Sequence, residues 1–63
     1  MQHERPSPSQ LLRVGELLEL NGDWISAVIT YRRVLATGDD VAGAEARRRL
    51  ESLMQRAYSP RPA

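Results

Sequence analysis

Sixty-three residues with no cysteine and one histidine allow a single domain and exclude a disulfide framework or a thiolate metal centre. Nine arginines against eight acids leave a formal charge of +1, too balanced for a global field that steers a chain to nucleic acid or a membrane surface. No apolar run approaches the ~18 residues of a membrane span, and the opening MQHERPSPSQ lacks the apolar stretch of a signal peptide, so a cytoplasmic protein is expected.

A domain of this size buries only about 60% of the surface its unfolded chain exposes. Small scaffolds therefore add a disulfide, a metal or a partner. His3, the only histidine, stands in a polar leader, so no metal and no cofactor is expected, and association remains. Every basic residue is Arg. That fits a GC-rich, bacterial-type gene, and it also suits bidentate pairing with carboxylates at an interface.

Residues 1–6 read as a flexible N-terminal tail. Ser7-Pro8-Ser9-Gln10 then forms a capping-box pattern, with Pro at the first helical position. The first helix runs to about Leu20 with Leu11, Val14, Leu17 and Leu18 on its apolar stripe. Leu12 and Leu20 lie off that stripe. Gly15, beside the stripe, costs about 1 kcal/mol against Ala in mid-helix, which points to close approach of a neighbouring helix.

Asn21-Gly22 stops this helix, because Gly22 is free to take a left-handed conformation. Asp23 caps the next, and so short a turn makes the two helices antiparallel neighbours. The second helix spans Trp24 to about Ala36, with Gly38 as its stop. Trp24, Ala27, Val28, Tyr31, Val34 and Leu35 form its broad stripe. A smaller stripe of Ile25, Ile29 and Ala36, with Arg32 among them, points elsewhere. Two apolar faces imply two neighbours: either a third helix covers Ile25 and Ile29, or they form an association face.

Asp39-Asp40 offers the third N-cap, and a third helix runs from Val41 to about Tyr58. Ala42, Ala46, Leu50, Leu53, Met54 and Ala57 share its apolar side. Glu45 and Arg49 form a favourable i, i+4 pair, and Arg47 with Glu51 the weaker reversed one. Ser-Pro-Arg-Pro-Ala cannot continue a helix, so 59–63 reads as a second flexible tail. The expected architecture is all-α: three helices in a domain over 7–58.

The hairpin resembles a tetratricopeptide repeat, a helix-turn-helix unit of ~34 residues. Leu11, Val14-Gly15 and Leu18 stand at its first-helix positions, and Ala27, Tyr31 and Val34 at its second-helix positions. Gly22-Asp23-Trp24, with Ala27 behind it, resembles the turn of that family. The chain departs from the pattern where first-helix aromatics are Leu, where Val34 replaces a small residue, and where Asp39 replaces a terminal Pro. The match covers about half the chain, and the third helix looks like the closing helix after a last repeat. The layout is also similar to the microtubule-interacting and transport domain, whose second helix carries an Ala-x3-Tyr signature. Either resemblance implies a groove for a partner segment and no catalysis. One repeat alone cannot bury its own apolar face, so assembly is implied as well.

The candidate protein-binding residues are Leu12, Leu20, Trp24, Ile25 and Ile29, rimmed by Arg32, Arg33 and Arg48. Two or three such side chains would contribute about 1.5–3 kcal/mol each on burial, with Arg–carboxylate pairs setting orientation. The partner would be a second copy, giving a homo-oligomer, or a larger subunit that this chain serves as adaptor. Trp24 suits packing over the hairpin turn better than anchoring a partner, and Met54 suits the core. Glu16 and Glu19 share one helix face without a histidine or nucleophile to make a catalytic set, so they read as a solvated face and no enzyme is expected. The alternative function is an Arg-rich nucleic-acid-binding accessory protein using Arg47, Arg48 and Arg49. These three consecutive residues fan around the helix, and Tyr58 is the only aromatic near them to stack a base.

Overall fold

The computed structural model describes residues 5–58, which form three α-helices: α1 (Pro8–Leu20), α2 (Trp24–Ala36) and α3 (Asp40–Tyr58). The architecture is all-α, as expected. The expected tails, 1–6 and 59–63, lie outside the described residues except for Arg5 and Pro6, which are irregular and exposed. No helix among the described residues is long and apolar enough to cross a membrane.

Local chemistry sets each boundary. Ser7 Oγ accepts from the Gln10 amide at 3.1 Å while the Ser7 amide donates to Gln10 Oε1 at 2.8 Å, the reciprocal box that satisfies two otherwise unpaired donors. Asp23 Oδ1 accepts from the Ser26 amide at 3.2 Å, and Asp39 Oδ2 from the Ala42 amide at 2.8 Å. Gly22 and Gly38 both take φ +80°, so each lets the chain leave a helix where another residue would be strained.

The helices run up, down and up, and α2 packs along both neighbours while α1 and α3 meet at fewer points. Ala27, Tyr31 and Val34 of α2 and Ala42, Ala46 and Leu53 of α3 are buried, with Leu11, Leu12, Leu18, Val28, Leu35 and Leu50 packed against them. The anticipated close approach occurs at Gly15. A Cβ built there would lie 2.5 Å from Tyr31 Cε1 and 2.8 Å from Cδ1, so the Tyr31 ring occupies the space that any side chain at position 15 would need.

Only part of the expected stripe of α1 faces the core. Val14 and Leu17 remain about half exposed, whereas Leu12 joins the edge of the core. The reason is α3, which lies beside α1 on its Glu16 and Glu19 side. The buried arc is therefore centred on Gly15, and Val14 and Leu17 fall outside it. Trp24 and Met54, both on apolar stripes expected to face the core, are also left partly exposed. The side chain of Ala57 lies outside the described residues.

Candidate protein-binding face

Polar side chains close the seam between α1 and α3. Tyr31 Oη donates to Glu19 Oε1 at 2.5 Å. Arg49 of α3 reaches the same Glu19 oxygen with Nη1 at 3.6 Å, Glu16 Oε2 with Nε at 3.4 Å, and Glu45 Oε2 with Nε at 3.0 Å. One guanidinium thus gathers three carboxylates from two helices, and a phenol from the third helix joins them. Glu16 and Glu19 are consequently not the solvated face expected of them. The acids that invite a catalytic reading are spoken for by Arg49 and Tyr31.

The local electrostatics follow from this arrangement. Burial raises the Tyr31 phenol far above its ordinary value, and the hydrogen bond to Glu19 and the charge of Glu19 add to the rise. For Arg49, burial works against the charge, but Glu16, the hydrogen bond to Glu45 and Tyr31 together outweigh it, so its pKa is raised. No buried side-chain nitrogen or oxygen among the described residues lacks a hydrogen-bond partner. No group of three or more His, Cys, Asp or Glu among them is placed to hold a metal ion.

On the outer side of α2 the pattern reverses. Ile25 is 76% and Ile29 is 52% exposed; α3 leaves both uncovered. With Arg32, Arg33 and Ala36, also exposed, they occupy one side of the helix by their spacing. Arg32 also lines a shallow hollow with Arg47, Leu50, Glu51, Met54 and Gln55 of α3. Arg32 thus stands between the exposed isoleucines of α2 and the hollow that holds Leu50 and Met54, the latter 38% exposed.

Not every candidate residue belongs to this face. Leu12 and Arg48 border a different hollow, with Ser9, Val41 and Ala42, near the start of α1 and α3. Arg48 is held there by Glu45 at 3.5 Å, so the proposed rim of Arg32, Arg33 and Arg48 is divided between two sides of the molecule. Leu20 is exposed at the end of α1, beside Glu16, Glu19, Arg49 and Arg56. Trp24 lies beneath the Arg56 guanidinium, 5.7 Å from the ring centroid, within cation–π range. No family model, curated protein or solved structure matches this chain.

Sequence reasoning misses Arg47, Glu51 and Met54 as part of the face. The first two read as an internal helix pair, but no ion pair joins them among the described residues. Met54 reads as core by its spacing from Leu50. The usable signal is that Leu53, Ala46 and Ala42 define a narrower arc, with Met54 at its edge.

Proposed function

We propose that the chain is a non-enzymatic protein–protein interaction module, a tetratricopeptide-like hairpin with a closing helix. It acts in the cytoplasm as a self-assembling or accessory subunit of a larger assembly. The observation that carries this reading is the exposure of Ile25 and Ile29 beside Leu50 and Met54 on a scaffold whose interior is otherwise satisfied. Two isoleucines on one helix side, bordered by Arg32 and Arg47, have the makeup of a docking face: an apolar centre with a polar rim. The tetratricopeptide-like part rests on the Gly22-Asp23 turn, the buried Ala27 and Tyr31, and Gly15 receiving the Tyr31 ring.

The nucleic-acid alternative draws less support. Of the three consecutive arginines, Arg49 is engaged by three acids within the chain, and Arg47 and Arg48 border different hollows, so the three form no single basic patch. Affinity capture from the source cell with wild-type and Ile29→Asp baits tests the docking reading. A protein retained by the wild type and lost by the variant is the expected result. Equal retention by both would remove this face from consideration.

A further inference from the structure

We infer that the occupant of the α2–α3 face is a second copy of this chain, packed about a twofold axis so that Arg47 of each copy pairs with Glu51 of the other. The inference rests on reading this face as a docking surface, and it adds the partner and the register.

Arg47 and Glu51 lie one turn apart on the same exposed side of α3, and both border the apolar hollow that also holds Leu50 and Met54. Neither has an ion partner among the described residues. An opposite-charge pair at i, i+4 is self-complementary when the helix meets its own copy antiparallel. An axis level with residue 49 brings each Arg47 opposite the other copy's Glu51, with two such pairs per dimer.

The apolar side chains fit the same axis. Leu35 of α2 lies against Gly43 of α3, whose added Cβ would be 3.8 Å from Leu35 Cδ2. The two helices are antiparallel. Ile29 is six residues before Leu35 and Arg49 six after Gly43, so Ile29 stands level with residue 49. The axis that pairs Arg47 with Glu51 therefore stacks Ile29 on its own copy, with Ile25, Leu50 and Met54 around it. Arg32, three residues beyond Ile29, is then level with the same Glu51 of the other copy and can share its carboxylate. Isologous packing of this kind closes on itself and leaves no propagating surface.

The alternative twofold, parallel to the helices, would set Arg32 over the other copy's Arg47, and like charges across an interface oppose association. The required area is within reach. A stable interface covers roughly 800 Å² per partner, about 15% of the 5193 Å² this chain exposes. Two short helices offer a small interface, and weak or transient complexes sit at the small end of the range, so a weak dimer is expected.

Sedimentation velocity on the full chain, from about 1 to about 500 µM, provides the test. The wild type should move from monomer to dimer across this range. Arg47→Glu and Glu51→Arg, each alone, set like charges opposite one another twice per dimer and should weaken association about tenfold. Mixed in equal amounts, the two variants should associate as a heterodimer more tightly than either variant does alone. The acid introduced at position 47 of one chain then meets the base introduced at position 51 of the other, and the unaltered Glu51 of the first meets the unaltered Arg47 of the second. Recovery on mixing cannot come from changes in the stability of either chain.

A wild type that stays monomeric throughout overturns the inference. So does a dimer indifferent to both substitutions, or one weakened by both that mixing fails to recover. The docking reading is judged separately. A monomeric wild type that holds a cellular protein through Ile29 sinks only the second copy as occupant, and a monomer that holds nothing sinks both.

Discussion

The inner side of α2 carries Ala27, Tyr31 and Val34, none of which reaches water, whereas the outer side carries Ile25 and Ile29, both largely exposed. Both sides belong to one helix of thirteen residues, and each carries large apolar side chains. The inner side fits its neighbours by shape, down to the missing side chain at Gly15, and its one polar atom finds an acceptor in Glu19. The outer side has apolar surface with no counterpart among the described residues, and its charges have no ion partner among them. Stability and association are therefore expected to reside on different sides of α2, and substitutions can separate them.

Tyr31→Ala is expected to have the largest effect. It removes a fully buried aromatic ring, a loss of about 3–5 kcal/mol for a core residue of this kind. A chain of 63 residues at roughly 0.05–0.15 kcal/mol per residue has about 3–9 kcal/mol of stability in total, and a domain this small sits towards the low end. The variant should be unfolded at 25 °C by far-UV circular dichroism, and cooperative melting near the wild-type temperature would contradict the account of the inner side.

Tyr31→Phe keeps the ring and removes only the bond to Glu19. A hydrogen bond to a charged acceptor contributes about 1.5–3 kcal/mol, and partial exposure of the carboxylate favours the lower figure. The pH dependence reports the buried phenol, whose raised pKa comes first from burial and then from Glu19. The folded phenol keeps its proton to a higher pH than the unfolded one, so above about pH 10 the folded state binds more protons and stability falls as pH rises. Below that range the contribution is fully present. Urea titrations between about pH 8 and pH 11 should show the alkaline decline in the wild type and lack this contribution in Tyr31→Phe.

Gly15→Ala sets two effects against each other. Alanine favours the helix by about 1 kcal/mol, but its Cβ meets the Tyr31 ring inside van der Waals contact. The ring cannot swing away while Oη is held by Glu19, and overpacking costs about 1–3 kcal/mol. A net loss of about 1 kcal/mol is expected. In a Tyr31→Leu background the obstruction is gone, so the same substitution should be neutral or stabilising. A thermodynamic cycle over the four proteins measures this reversal of sign, and additive effects would show that the ring does not set the limit.

The features legible in the sequence are those fixed by a few neighbouring residues. Ser7 with Gln10, Asp23, Gly22, Gly38 and Asp39 mark the caps and stops, and the chain places helix ends there. What does not emerge depends on where α3 lies. Periodicity shows that α1 has an apolar stripe, but not that α3 settles beside Glu16 and Glu19, which moves Leu12 inward and leaves Val14 and Leu17 at the surface. Glu19 meets Tyr31 twelve residues away and Arg49 thirty away, and no local pattern records such contacts. One clue is available: a tyrosine within a core stripe needs an acceptor for its hydroxyl, and Glu16 and Glu19 are the nearest acids on the facing helix. Ile25 and Ile29 are legible as a second stripe. Arg48 groups with Arg32 on composition alone, and the fold separates them.

Ile29→Asp is expected to change stability least, and it gives the sharpest contrast with Tyr31. Position 29 is about half exposed, so a charge there stays hydrated, and surface substitutions away from special features fall within about 0.5 kcal/mol. Aspartate in a helix interior adds a few tenths through its lower propensity. Association should respond differently, because the same carboxylate would be driven into the centre of an apolar contact and stripped of water without a partner. Chemical denaturation at dilute concentration should therefore give a midpoint close to that of the wild type. Sedimentation of the same sample at high concentration should lack the association expected of the wild type. If the midpoint falls by as much as in Tyr31→Phe, Ile29 contributes to the fold of the single chain, and the division between the two sides of α2 is wrong.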